Sequence, residues 1–132
     1  MAVTVLDGST FVVCDRRGDV DGVLDASGFF AADTRFLSRL VLTVDGERGE
    51  PVSLEQSAPH VALFELRAPG GLAVRRELFV GRGLEETIAV ENTSEREVEA
   101  VLGLELASDF ADIFAVKRVE DLGALDLSLI HI

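Results

Sequence analysis

Apolar and polar residues alternate with a period of two along most of this chain, in short runs closed by Gly, Asn, Asp or Pro. An extended strand points successive side chains to opposite faces, whereas a helix groups its apolar residues every three or four positions. The rhythm therefore selects half-buried strands joined by tight turns. Val3-Thr4-Val5-Leu6 and Thr10-Phe11-Val12-Val13-Cys14 flank Asp7-Gly8-Ser9, where Gly8 supplies the positive φ of a short hairpin loop. Between Phe36 and Val44 the alternate residues Leu40, Leu42 and Val44 are apolar. The turn dipeptide Asp45-Gly46 follows and leads to Pro51-Val52-Ser53-Leu54, so a second hairpin is expected.

Val61 to Leu66 is largely apolar on both faces, as a strand near the middle of a sandwich would be, and Pro69-Gly70-Gly71 ends it. Leu72 to Val80, the turn Gly81-Arg82-Gly83, and the series Leu84, Glu86, Ile88 and Val90 imply another hairpin. Val98, Ala100, Leu102, Leu104 and Leu106 then share one face. Glu97, Glu99 and Glu105 occupy the other, where carboxylates keep a strand solvated and discourage edge pairing. The charged, glycine-bearing run from Asp15 to Ser27 reads as an exposed loop, and Asp109 to Val119 as a turn passing into a short strand. About nine strand candidates at sandwich-like intervals give an all-β, antiparallel β-sandwich, supersandwich-like in outline.

Length and charge bound the function. At 132 residues the chain is one domain. With 12 basic and 24 acidic side chains its formal charge is 12 − 24 = −12, which opposes both nucleic acid and anionic membrane surfaces. A neutral ligand or a protein partner remains. No apolar run approaches the roughly 20 residues of a membrane-spanning helix. The N-terminus lacks the basic and apolar regions of a signal peptide. A cytoplasmic setting is expected, and the single Cys14, on a strand-like run, fits core packing in a reducing compartment.

The chain carries few residues in patterns that support catalysis. His60 and His131 stand in no metal-ligand spacing, and no serine sits in a G-x-S-x-G elbow. No glycine-rich phosphate loop follows a strand. Asp15, Asp19, Asp21 and Asp25 lack the ligand order and closing Glu of a calcium loop. No catalytic residue, metal or cofactor is therefore expected. Asp109 and Asp112 share a turn-like segment with Phe110 and Phe114, which either anchor that turn in the core or offer a face to a sugar ring. Asp33-Thr34-Arg35-Phe36 joins an acid, a guanidinium and an aromatic ahead of a strand, and Arg75-Arg76-Glu77 offers a second ionic crosslink. Such clusters either lock the architecture or form hydrogen bonds at the rim of a substrate or partner domain. The rim candidates are Asp33, Arg35, Arg75, Arg76, Asp109 and Asp112.

Several ordered motifs together carry a resemblance. They are Leu6-Asp7-Gly8-Ser9-Thr10-Phe11-Val12-Val13, Asp15-Arg16-Arg17-Gly18-Asp19, and Gly28-Phe29-Phe30 followed by Asp33-Thr34-Arg35-Phe36-Leu37-Ser38. Val74-Arg75-Arg76-Glu77, Phe79-Val80, Gly83-Leu84 and Ala107-Ser108-Asp109-Phe110-Ala111-Asp112-Ile113-Phe114 continue the series. On these the chain resembles the N-terminal domain of bacterial glycogen-debranching-enzyme-like proteins, the amylo-α-1,6-glucosidase group, with Cys14 standing where a small polar residue is expected. The resemblance implies a β-sandwich preceding an (α/α) barrel that carries the catalytic carboxylates, in a cytoplasmic α-glucan hydrolase of glycogen catabolism. It makes this chain a non-catalytic accessory domain, with the barrel of the same parent as its partner and α-glucan as a further one. The alternative is an independent carbohydrate-binding module for α-glucans, against which the absence of Trp and Tyr weighs. The domain is expected over residues 1–120. Residues 121–132 are expected to be a non-native or truncated tail: the closing Leu127-Ser128-Leu129-Ile130-His131-Ile132 follows without a closing turn and resembles an adaptor-encoded scar, a genuine C-terminal strand being the alternative.

Overall fold

A computed structural model describes residues 2–21, 27–110 and 130–131, and among these every regular element is a strand. The first layer begins with β1 (Val3–Asp7), β2 (Thr10–Cys14), β3 (Gly28–Ala31) and β4 (Thr34–Leu37), antiparallel and in that order. After Ser38 the chain continues as β5 (Arg39–Val44). The second layer is a meander of β6 (Glu50–Ala58), β7 (Val61–Ala68), β8 (Leu72–Val80) and β9 (Leu84–Asn92). β10 (Leu102–Ala107) returns to pair with β5, Leu102 opposite Val44 and Ala107 opposite Arg39. β11 (Ile130–His131) lies parallel to β9 at Leu84–Glu85.

The alternation read in the sequence becomes the division between core and solvent. In β8 the residues Leu72, Val74, Arg76, Leu78 and Val80 are buried, while Arg75, Glu77 and Phe79 are exposed. The inner faces meet in two contiguous clusters. Val3, Val5, Val12 and Cys14 of the first layer pack with Ala62, Phe64, Leu78, Val80 and Leu84 of the second. Leu42 and Val44 pack with Leu66, Ala68, Leu72 and Val74. Leu104 touches both clusters and joins them. Complete burial of side chains this size supplies roughly 1.5–3 kcal/mol each, which makes the two clusters the main source of cohesion.

Four expectations are corrected. First, β5 forms no hairpin with β6; Asp45-Gly46 does turn, closing Val44 on Glu47, but the Asp45 N–H donates to the Val101 carbonyl at 2.9 Å. The Asp45 carboxylate accepts from the Val101 N–H at 2.9 Å, so the turn is tied to the start of β10 and the chain crosses to the other layer. Second, the run from Phe36 to Val44 divides at Ser38, whose N–H donates to the Ala107 carbonyl at 2.8 Å. There the chain leaves the β3 ladder for the β10 ladder. Third, the alternation from Glu97 to Leu106 becomes a strand only from Leu102; Val98 packs on the second cluster without ladder bonds, and Val101 is exposed. Fourth, the expected exposed loop after Cys14 contains buried Gly18, Asp19 and Val20, with Val20 bridging to Leu40. Its polarity serves an internal network.

Candidate functional site: two buried arginine clamps

The first clamp grows from the motif Asp15-Arg16-Arg17-Gly18-Asp19. Asp15 folds the segment on itself by accepting the N–H groups of Arg17 at 2.8 Å and Asp19 at 3.0 Å, an Asx-type turn. Gly18, at φ +82°, lets the backbone pass so close to the core that a Cβ there would lie 3.2 Å from the Phe64 ring. Asp19 is thereby driven into the sandwich, 1% exposed. It meets Arg76, an inward-facing residue of β8 with no exposed surface, whose guanidinium N–H groups donate to Asp19 and to the Arg17 carbonyl. On the other side Glu86 of β9 takes a two-point contact from Arg76, at 2.6 and 3.1 Å. Cross-strand placement explains this contact: Arg76 lies opposite Ile88 in the ladder, and Glu86 is two residues away on the same inward face.

Arg48 closes the network from the surface. It contacts Asp19 at 2.9 Å, Asp15 at 2.9 Å and Asp21 at 3.1 Å, while Arg17 donates to the Gly49 carbonyl at 2.7 Å. Asp19 also accepts the Leu42 N–H at 3.2 Å, so one carboxylate ties together the loop, β5, β8 and the Arg48 segment. Burial works against the charge on Arg76, but Glu86 and then Asp19 outweigh it, and its pKa stands above the ordinary arginine value. Arg48 is raised likewise, its partial desolvation overcome chiefly by Asp19. Asp15, Asp19 and Asp21 thus face a guanidinium, which accounts for the aspartate cluster without a metal. Cys14 lies beside this network, and burial followed by the nearby Asp15 charge pushes its thiol from 9.0 up to about 12.

The second clamp joins β4 to the end of β10. Arg35, also without exposed surface, reaches Asp109 through two nitrogens, one of them at 3.1 Å, and donates to the Ser27 carbonyl at 3.1 Å. A two-point guanidinium–carboxylate contact fixes direction as well as distance. Gly28 is required beside it: at φ +149° its Cβ would sit 2.5 Å from the Arg35 Cδ. Phe110 adopts φ +50° and meets Phe36 edge to face at 5.9 Å, so this corner carries an aromatic contact above the ion pair.

The two motif clusters therefore have different fates. Arg35 pairs with Asp109 rather than with Asp33, which is exposed in the β3–β4 turn at φ +61°. Arg76 forms the ionic crosslink expected of its segment, with Asp19 and Glu86 as partners. Arg75 points outward, 3.6 Å from Glu65. His60 is exposed, its ring edge-on to Phe79 at 5.3 Å. Asp25, Asp112 and Phe114 lie outside the described residues. Sequence reasoning missed Glu86 and Arg48. Glu86 was legible as a charged residue on the apolar phase of its strand, whereas Arg48 stands in the irregular link before β6 with no pattern to mark it.

A two-layer antiparallel sandwich whose inner faces are pinned by arginine–carboxylate clamps defines an all-β domain. The family model for the N-terminal domain of some glycogen debranching enzymes matches residues 5–126, and the chain belongs to that family. No curated protein matches the chain in a sequence search. The matched region contains every member of both clamps.

Proposed function

We propose that this chain is a non-catalytic N-terminal accessory domain of a glycogen-debranching glycoside hydrolase of the amylo-α-1,6-glucosidase type. In this reading it packs on an (α/α) barrel and shapes the entrance to its active site. The observation that carries the proposal is the use made of the buried charges. Arg76 is turned toward Asp19 and Glu86, and Arg35 toward Asp109, inside the sandwich, so these buried charges brace the fold rather than face a substrate. A glycosidase needs two carboxyl groups flanking an open cleft. These carboxylates are instead each occupied by a guanidinium.

Among the described rim candidates, exposed Asp33 and Arg75 are the ones able to touch a neighbour directly. Arg35, Asp109 and Arg76 act through the fold, by holding the β4–β10 corner and the β8–β9 face in place. The parent's setting is cytoplasmic, its substrate a branched α-glucan. The test is reconstitution: the 132-residue chain is mixed with the separately expressed catalytic region of its parent, and release of glucose from branched glucan is followed. The chain alone should release none, and its addition should raise kcat/KM of the catalytic region. Turnover by the chain alone, or no change on mixing, would overturn the proposal.

A further inference from the structure

The core thins where the chain reaches β10 and the end of β9. Residues that face each other across an antiparallel ladder point to the same side of the sheet, so a core that closes over the ladder buries both partners. The β5–β10 ladder departs from this: Val44 is 2% exposed and Leu102 opposite it 49%. Leu104 and Leu106 are partly buried where their partners Leu42 and Leu40 are fully so. The second layer fades likewise, from Val74 at 1% to Val90 opposite it at 41%. Val44 and Val74 belong to one cluster, so both layers leave that cluster under-covered. Of the seven large apolar side chains exposed among the described residues, Val90, Val101, Leu102 and Phe110 belong to the end of β9, to β10 and to the residues flanking β10. Apolar exposure concentrated in this way marks a surface made to meet another.

β10 also presents an unguarded edge. Its one ladder neighbour among the described residues is β5, in continuous register from Leu102 to Ala107. At the far edge of the second layer, by contrast, β6 breaks its own regularity with Pro51 and with two register shifts against β7. Glu97 and Glu99, the carboxylates expected to deter pairing, precede the strand, and Glu105 within it is held by Arg39 at 2.7 Å. The start of β10 is fixed by the two bonds between Asp45 and Val101. Such an edge takes up an extended segment through main-chain bonds, its alternate side chains joining the apolar row of Leu102, Leu104 and Leu106. The other side chains of that segment meet exposed Glu95, Glu97 and Glu99, against a single Arg96, on a chain of net charge −12. Charge complementarity therefore selects lysine and arginine there. A second copy of this chain would bring the same negative field and is disfavoured.

We infer that β10 is the docking edge for an extended segment of the rest of the parent chain, one that alternates apolar residues with lysine or arginine. The assignment rests on the accessory role proposed above and names the surface that role uses. The experiment follows amide hydrogen exchange of the 132-residue chain by NMR, alone and mixed with the separately expressed remainder of the parent, catalytic region included, with affinity read by calorimetry. Mixing should slow the alternate β10 amides that face away from β5. Leu102→Lys should weaken association by about tenfold or more, because it removes the most exposed member of the apolar row and adds a like charge. Glu97→Lys/Glu99→Lys, outside every strand, should weaken it too and flatten its dependence on salt. Val52→Lys, at an exposed position of β6, should bind as wild type does. Association that leaves the β10 amides unchanged, or that neither Leu102→Lys nor the double variant weakens, would overturn the docking edge and leave the accessory role standing. No association would overturn both. Outward β10 amides already slow in the chain alone, whether held by a second copy or by this chain's own residues, would overturn the docking edge as well.

Discussion

Replacing Arg76 by Met tests the structural role of the first clamp. Met keeps the unbranched stem of Arg but stops where Nε stood, so Arg76→Met removes charge and donors and leaves a small void at the guanidinium. Glu86 then loses its contacts at 2.6 and 3.1 Å in a site where its side chain is 1% exposed. Asp19 fares better, because Arg48 at 2.9 Å and the Leu42 N–H at 3.2 Å still serve it. The dominant loss is one uncompensated buried carboxylate, about 3–5 kcal/mol. Domains of this kind hold about 5–15 kcal/mol in all, so the loss is a large share. With a urea slope of about 2 kcal/mol per molar, the midpoint should fall by about 2 M, read by circular dichroism. Removing both partners in Arg76→Met/Glu86→Leu should recover most of it, ending within about 2 kcal/mol of wild type. A single variant that loses less than about 1 kcal/mol, or a double variant no more stable than the single, refutes the claim that the clamp members depend on one another.

The second clamp gives a parallel expectation: Asp109→Ala leaves Arg35 buried and unpaired and should cost about 3–5 kcal/mol in the same urea experiment. Gly28→Ala should destabilise by about 2 kcal/mol or more, since a Cβ 2.5 Å from the Arg35 Cδ displaces that side chain and the φ of +149° is itself strained, as a thermal melt would reveal. For Cys14 the sign runs toward alkaline loss. Its thiol is pushed from 9.0 up to about 12 in the fold, so its contribution is complete below pH 9 and disappears as pH rises from 9 to 12. Cys14→Val should flatten that limb of the stability profile, and native Cys14 should resist a thiol reagent that labels the urea-unfolded chain at once. By contrast Arg39→Ala, which removes an exposed pair with Glu105 at 2.7 Å, should change stability by no more than about 0.5 kcal/mol on calorimetry.

Local rules made the meander legible and stopped at the crossovers. β7, β8 and β9 could be read because each is a strand-length run, β8 strictly alternating, separated from the next by a glycine-bearing turn, so pattern and pairing agree. β5 alternates as well, but its partner β10 lies some sixty positions away and no turn residue announces the pairing. The β3–β4 hairpin escaped because Ala32 and Asp33, both at positive φ, form its turn without the usual glycine. The clamps were half legible. Arg35 drew attention in a charged and aromatic cluster ahead of a strand and Arg76 as part of Arg75-Arg76-Glu77, yet Asp19 lay in a run whose polarity reads as solvent exposure. Polar residues say only that partners are needed, and here the partners were internal.

The pairing of β5 with β10 has a consequence for how the protein comes into being. Four strands of the second layer are neighbours along the chain and can zip together within a short stretch of polypeptide. The β5–β10 ladder must wait, since β5 emerges early and meets its mate only after the whole meander between them exists. Closing so large a loop is entropically slow, and until it happens the inner side of β5, with Leu40, Leu42 and Val44, has no β10 beside it. A nascent chain halted between Asn92 and Leu102 would therefore expose a sticky ribbon for a chaperone to shield, whereas one halted after Asp109 could already lock it away.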